Sequence, residues 1–230
     1  MNRDARYSIP EGFRASFALP TNASGIAAVK LFYAPPSPYV RKSLVFAHEL
    51  GLRERIELVP AAAHPINRDR NVVAHNPLGK IPTLIADDGT ALYDSHTICE
   101  YLNEQGKGNL IPTQGPARWA ALTEHALADG ILDAAVLVRY ETVLRPEALR
   151  WNDWITGQME KITSSLDLIE RRVAGFGDRV DLGTISVGCA LGYLDLRYAS
   201  LAWRDKRPSA AAWFERFGAR PSMVATQPTA

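Results

Sequence analysis

The 230-residue sequence predicts a small α/β domain followed by an all-helical domain. Two patterns carry that expectation. Up to residue 105, short apolar runs and helical spacing alternate as strand–helix–strand, then strand–strand–helix. Beyond a stretch holding three Gly and two Pro at 106–116, apolar residues recur only every three to four positions. The composition fits: 47% hydrophobic and 22% charged residues are ordinary globular values, and the length suffices for one large or two small cores.

Residues 1–25 are rich in Ser, Ala, Pro, Asn and Gly without a sustained period, and read as a flexible extension. A strand is expected from Ile26 to Tyr33, ended by Ala34-Pro35-Pro36. Ser37 then suits a helix N-cap and Pro38 the first helical position, where no amide donor is needed. Val40, Leu44, Ala47 and Leu50 mark the apolar face, and Gly51 the stop. Ile56, Leu58 and Val59 form a second strand, parallel to the first because one short helix joins them. After a loop with weak helical character over Ala61–Asn76, Thr83–Ile85 and Ala91–Tyr93 flank the turn Asp87-Asp88-Gly89 as an antiparallel edge hairpin. A helix opens near Asp94-Ser95, with Ile98, Tyr101 and Leu102 on its apolar face. The first domain thus spans 26–105, the linker 106–116 and the helical domain 117–230.

In the helical domain, Trp119, Leu122, Ala126, Ile131 and Val136 mark a long first helix. A second carries the stripe Trp151, Ile155, Met159, Ile162, Leu166, Ile169 and Val173, read as core. Thr184–Leu201, apolar on most faces, reads as a buried central helix capped by Thr184. Its Val187 cannot complete a capping box. A shorter helix is expected over Ser209–Phe217 and a loose tail from Gln227.

The net charge of +1 offers no global field for nucleic acid or anionic lipid. No apolar run reaches the roughly 20 residues of a membrane helix. The first 25 residues lack the apolar stretch of a secretory signal. Cys99 and Cys189 form no metal or CxxC pattern. A reducing, cytoplasmic setting is expected, with both thiols buried and inert and no metal site. Arg41-Lys42 and Arg68-Asp69-Arg70 read as solvated charge clusters.

Three motifs can carry chemistry. Ser37-Pro38-Tyr39-Val40-Arg41-Lys42 puts a hydroxyl at a helix N-terminus, where unpaired amides and the helix dipole stabilise an anion such as a thiolate. Lys80-Ile81-Pro82 precedes a short strand; a cis bond there would free the Ile81 main chain to pair with an extended peptide ligand. Asp94-Ser95 opens a helix, so Ser95 and the first-turn amides can hold a carboxylate while Asp94 faces an ammonium group. Capping and strand-start roles account for each motif singly. Together, at the junctions of one sheet, they fit one ligand with a thiol, a peptide bond and an amino-acid head.

The run Asn76-Pro77-Leu78-Gly79-Lys80-Ile81-Pro82-Thr83-Leu84, followed by Asp94-Ser95, resembles the cytosolic glutathione S-transferases from Val29 to about Phe217. Ser37-Pro38-Tyr39-Val40-Arg41-Lys42 is similar to their serine-type bacterial branch. Ala128–Ala134 and Gly192–Arg197 are similar to bacterial members of unassigned substrate, the YibF-like type among them. The resemblance implies a thioredoxin-like N-terminal domain, a helical C-terminal domain and a homodimer. It implies that Ser37 hydrogen-bonds the glutathione thiolate, Ile81 and Pro82 meet the cysteinyl unit, and Asp94 and Ser95 the γ-glutamyl end. Lys80 and His64 are candidates for the glycyl carboxylate. Trp119, His125, Asp129 and Tyr140 are candidates for a hydrophobic electrophile pocket; 125 and 129 share one helical face. Tyr33 is the alternative hydroxyl to Ser37. The implied activity is glutathione transfer to an electrophile. The alternatives are a glutathione-dependent peroxidase, reductase or dehalogenase, or a non-catalytic ligand-carrying or protein-interaction module on the same fold.

Overall fold

The structure is a computed structural model that describes residues 29–229. The expected N-terminal extension and the start of the first strand lie outside that range. Four strands form one sheet in the order β2-β1-β3-β4: β1 Val29–Tyr33, β2 Ile56–Pro60, β3 Thr83–Ile85 and β4 Ala91–Leu92. β1 runs parallel to β2, from Val29↔Ile56 to Tyr33↔Pro60. It runs antiparallel to β3, with Phe32 opposite Thr83, and β3 is antiparallel to β4, with Leu84 opposite Leu92.

Local chemistry explains the helices of this domain. α1 (Pro38–Glu49) starts where Ser37 Oγ accepts the Val40 amide at 3.3 Å, and the chain leaves it through Gly51 at φ +67°. α2 (Arg70–Val73) is capped by Asp69. α3 (Ser95–Gln105) is capped by Asp94, which accepts the His96 amide at 3.0 Å. Ile98 and Leu102 of α3 are buried against the core, and Tyr101 is half-buried.

Five helices follow: α4 Gly115–Val143, α5 Asn152–Arg172, α6 Leu182–Arg197, α7 Pro208–Gly218 and α8 Pro221–Ala225. α4 begins inside the stretch expected to be linker. α6 is buried continuously from Leu182 to Leu194 and ends four residues short of the expected Leu201. α8 was not legible as a helix.

Four expectations need correction. Thr184 is not the cap of α6. Asp181 is: its carboxylate accepts the Thr184 amide at 3.0 Å, and Thr184 Oγ1 accepts the Asp181 amide at 3.0 Å. The capping box is therefore complete, one turn earlier than expected. Trp151 is not core but 63% exposed, because it sits on the turn before α5, where no neighbouring element covers it. Trp119 is 67% exposed; it lies two residues, more than half a turn around, from buried Ala121. Arg41 and Lys42 are not solvated surface. They are 6% and 0% exposed because α1 packs on α3 on one side and on α6 and α8 on the other.

Cys99 and Cys189 are buried, and burial raises their thiol pKa values to about 12 and about 11, so both stay protonated. Among the described residues no helix is long and apolar enough to cross a membrane.

Candidate active site at one end of the sheet

The sheet register brings the three motifs together. Tyr33 ends β1, and the next register position on β3 beyond Phe32↔Thr83 is Pro82. Continuing Leu84↔Leu92 the same way puts Tyr93 and Asp94 beside Thr83 and Pro82. The turn to Ser37, the Ile81–Pro82 bond and the Asp94 cap of α3 therefore share one end of the sheet. Parallel β2 delivers the loop Ala61–His64 to the same end.

Ser37 is half-buried. Its oxygen accepts the Val40 amide, so its O–H proton remains available to donate. Pro38 has no amide, and the Arg41 amide goes to Ser37 O at 3.0 Å. That leaves the Tyr39 N–H as the first-turn donor of α1 with no acceptor among the described residues. Tyr33 is half-buried against the core and its carbonyl holds the Ala61 amide, whereas Ser37 sits at a helix start.

The Ile81–Pro82 bond is cis, as the peptide-ligand reading requires. Ile81 lies beyond the last β1–β3 pair. The loop before it is held by Asn76, which sequence reasoning passed over. Buried Asn76 donates to Thr83 Oγ1 at 2.9 Å and to Lys80 O at 3.2 Å, and accepts the Leu78 amide at 3.0 Å. A side-chain amide that can both donate and accept is the signal at this position. Gly79, at φ +63°, lets the chain turn there; a Cβ would also crowd Arg68, which donates to Pro77 O. Lys80 is exposed with no carboxylate partner among the described residues. His64 Nδ1 accepts the amides of Ile66 and Asn67 at 3.2 and 3.0 Å, which leaves its Nε2 as the outward donor.

Ser95 is 2% exposed, and its hydroxyl bonds no described protein group; Asp94 is exposed. The amides of Ser95 and Thr97 likewise have no acceptor among the described residues, so the start of α3 presents a hydroxyl and two N–H donors.

A buried polar network lies behind these elements. Lys42 Nζ sits 2.7 and 2.8 Å from the two oxygens of Asp129 on α4. His125 Nε2 is 3.5 Å from Asp129. Ser186 Oγ donates to Leu182 O at 2.6 Å and so accepts from His125 Nδ1 at 3.0 Å. The His125 ring packs 4.6 Å from that of His96, the neighbour of Ser95. Burial, then the Lys42 charge and His96, depress His125 to about 3, so the ring is neutral. Burial raises Asp129, with Lys42 opposing. Tyr39 O–H donates to Asp133; burial and that bond push the phenol well above its usual value, and it stays protonated.

The four residues expected to line an electrophile pocket are not brought together. All lie on α4, where Trp119 and Tyr140 are 21 residues, or about 30 Å, apart. His125 and Asp129 belong to the buried network. Two of the four touch elements of the sheet end: Tyr140 donates to Ala63 O at 3.4 Å, and the His125 ring packs on His96 in the first turn of α3.

Two family models match the chain: "Glutathione S-transferase, N-terminal domain" over residues 36–105 and "Glutathione S-transferase, C-terminal domain" over residues 152–216. An uncharacterised GST-like protein of Escherichia coli, YibF, is 34% identical over 87% of this chain and 98% of its own length. The chain belongs to the glutathione S-transferase family. A solved glutathione transferase family member from Pseudomonas fluorescens Pf-5 with bound glutathione is 47% identical. It covers 88% of this chain and 100% of its own, with a TM-score of 0.86. A glutathione S-transferase from Methylobacillus flagellatus, also with glutathione bound, is 37% identical at a TM-score of 0.80, again covering 88% and 100%. Elongation factor 1-gamma of Danio rerio is 27% identical over 82% of this chain, which spans 43% of that protein. The thioredoxin-like N-terminal domain and the helical transferase domain are thereby established.

Proposed function

We propose that this transferase-family protein binds glutathione at the sheet end, keeps it as thiolate beside Ser37 and directs it at an electrophilic carbon. The observation that carries this reading is the convergence of the starts of α1 and α3 with the Ile81 main chain at one end of one sheet. Ser37, its oxygen already accepting the Val40 amide, donates its proton to the sulfur. The positive end of α1 and the Tyr39 amide add to the field that favours thiolate. Ile81 pairs with the cysteinyl unit beside Pro82. Asp94, Ser95 and the open amides of α3 take the γ-glutamyl ammonium and carboxylate. Lys80 and the Nε2 donor of His64 face the glycyl carboxylate. The protein contributes proximity and charge stabilisation, with no covalent intermediate of its own.

The Pseudomonas relative supports glutathione as co-substrate, and a second structure of that same protein holds S-(propanoic acid)-glutathione, the kind of S-alkyl conjugate such a reaction produces. Tyr140 is the assigned residue on the electrophile side. A cytoplasmic homodimer completes the proposal.

The likeness to elongation factor 1-gamma favours a second reading, a protein-interaction module on the same fold. Isothermal titration with reduced glutathione separates the two. Saturable binding that weakens in Ser95→Ala supports the enzyme, and conjugation to a panel of alkyl and aryl electrophiles then follows. No binding at millimolar glutathione supports the module.

A further inference from the structure

The segment Gly192–Arg197 of α6 and the end of α4 carry polar groups that the sheet-end site leaves unused. α4 and α6 pack along each other. Tyr198 O–H donates to Ala135 O, which sets the end of α6 beside Arg139, one turn further along α4. Arg139 is next in the chain to Tyr140, which reaches Ala63 at the sheet end. Tyr193 and Arg197 lie one turn apart on one face of α6.

Tyr193 is the unusual group. It is 4% exposed, yet its hydroxyl bonds no described group. A buried phenol ordinarily finds a partner. Burial raises its pKa, the charges of Arg139 and Arg197 oppose that rise, and the Tyr140 phenol adds to it, so Tyr193 stays a protonated donor with those heads around it. The Tyr39 phenol, two residues beyond Ser37, feels Tyr193 as well. The group therefore borders the start of α1.

The two arginines lack a counter-ion. Both are half-buried, and neither forms an ion pair or donates a side-chain hydrogen bond among the described residues; the Nε of Arg197 is buried with no acceptor. Guanidinium groups withdrawn from water ordinarily pair with acids. The acids of the same two helices that could serve are engaged elsewhere. Asp129 holds Lys42, Asp133 accepts the Tyr39 O–H, Glu141 holds Arg145, and Asp195 holds Arg204. Two cations and one phenol donor, all without an acceptor, thus meet beside the Ser37 end of α1.

We propose that the electrophile carries a carboxylate, held between Arg139, Arg197 and the Tyr193 hydroxyl while its reactive carbon meets the sulfur beside Ser37. A guanidinium matches a carboxylate in geometry as well as in charge. The inference rests on the transferase reading above and adds its substrate class.

4-Chloro-3,5-dinitrobenzoate and the uncharged 4-chloro-3,5-dinitrobenzamide test it. With each, the glutathione sulfur bonds to C4, chloride leaves with the C–Cl electron pair, and the thiol proton goes to solvent. Dividing kcat/KM by the rate constant without protein removes the difference in intrinsic reactivity. The carboxylate should be preferred at least about tenfold, the worth of a hydrogen bond to a charged group. In Arg139→Gln/Arg197→Gln that preference should disappear. Tyr193→Phe, which breaks no hydrogen bond within the described protein, should cut it severalfold. In wild type, 3,5-dinitrobenzoate, which has no leaving group at C4, should inhibit at least about tenfold more strongly than 3,5-dinitrobenzamide. Equal normalised rates for acid and amide, equal inhibition, or a preference unchanged in both variants would overturn the proposal and leave the transferase reading standing. Glutathione that fails to bind in the isothermal titration would overturn both.

Discussion

Replacing Asp129 by Ala strands the ammonium of Lys42. That side chain is 0% exposed, and both short contacts of its Nζ are to Asp129. With the carboxylate gone, Lys42 must stay charged and uncompensated inside the protein or give up its proton. Breaking one side of a buried pair costs about 3–5 kcal/mol. For a chain of this size each kcal/mol shifts Tm by about 2–4 °C, so the variant should melt about 6–20 °C lower. The pair itself is worth little against apolar replacements of the same shape. Lys42→Met/Asp129→Leu should therefore recover to within about 1 kcal/mol of wild type. Urea unfolding followed by circular dichroism measures all three proteins. A loss under 1 kcal/mol in Asp129→Ala, or a double variant as unstable as the single, would refute the reasoning.

Acid should destabilise the protein through His125. The unfolded chain takes up a proton near the ordinary histidine value, 6.5, whereas the folded ring waits until about 3. Stability therefore falls as pH drops from about 6.5 toward 3, by at most about 1.4 kcal/mol per unit from this group. His125→Gln should flatten the urea midpoint between pH 6.5 and 5; an unchanged slope contradicts the assignment. Thr184→Val removes half of the α6 capping box and leaves the buried Asp181 amide without its acceptor, a loss of about 1–2 kcal/mol by thermal melting. Gly183→Ala drives a methyl to 2.9 Å from the Ala121 carbonyl oxygen of α4, a backbone atom that cannot move aside, and should cost about 1–3 kcal/mol; stability equal to wild type would mean that α4 and α6 do not meet as described.

Period and punctuation made most of the N-terminal domain legible. Pro38 after Ser37, Gly51 and Asp87-Asp88-Gly89 each act through local backbone chemistry, which a linear sequence displays. The parallel pairing of β1 with β2 and the antiparallel pairing of β3 with β4 followed, because the short βαβ unit and the tight hairpin leave few alternatives; the β1–β3 pairing and the register did not. What the sequence concealed depends on contacts distant in the chain. Arg41 and Lys42 look like surface charge until α6, α8 and Asp129 cover them. Trp119 and Trp151 look like core because ring size says nothing of which side the neighbouring helix takes. The α6 cap was misplaced by one turn because Asp181 and Thr184 are both good cap residues, and only the helix start decides between them. The electrophile side was the least readable: spacing along α4 places its four candidates on one helix, but the second domain determines which of them faces the sheet end.

The most direct test of the central claim is the pKa of bound glutathione, read as thiolate absorbance across pH in wild type and Ser37→Ala. The account predicts a thiol pKa well below the free value of ~8.5 in wild type. In Ser37→Ala it should return toward that value, with glutathione still bound through Ser95 and turnover reduced. A bound thiol that titrates like free glutathione in wild type, or a Ser37→Ala variant with weakened binding but intact turnover, would contradict it.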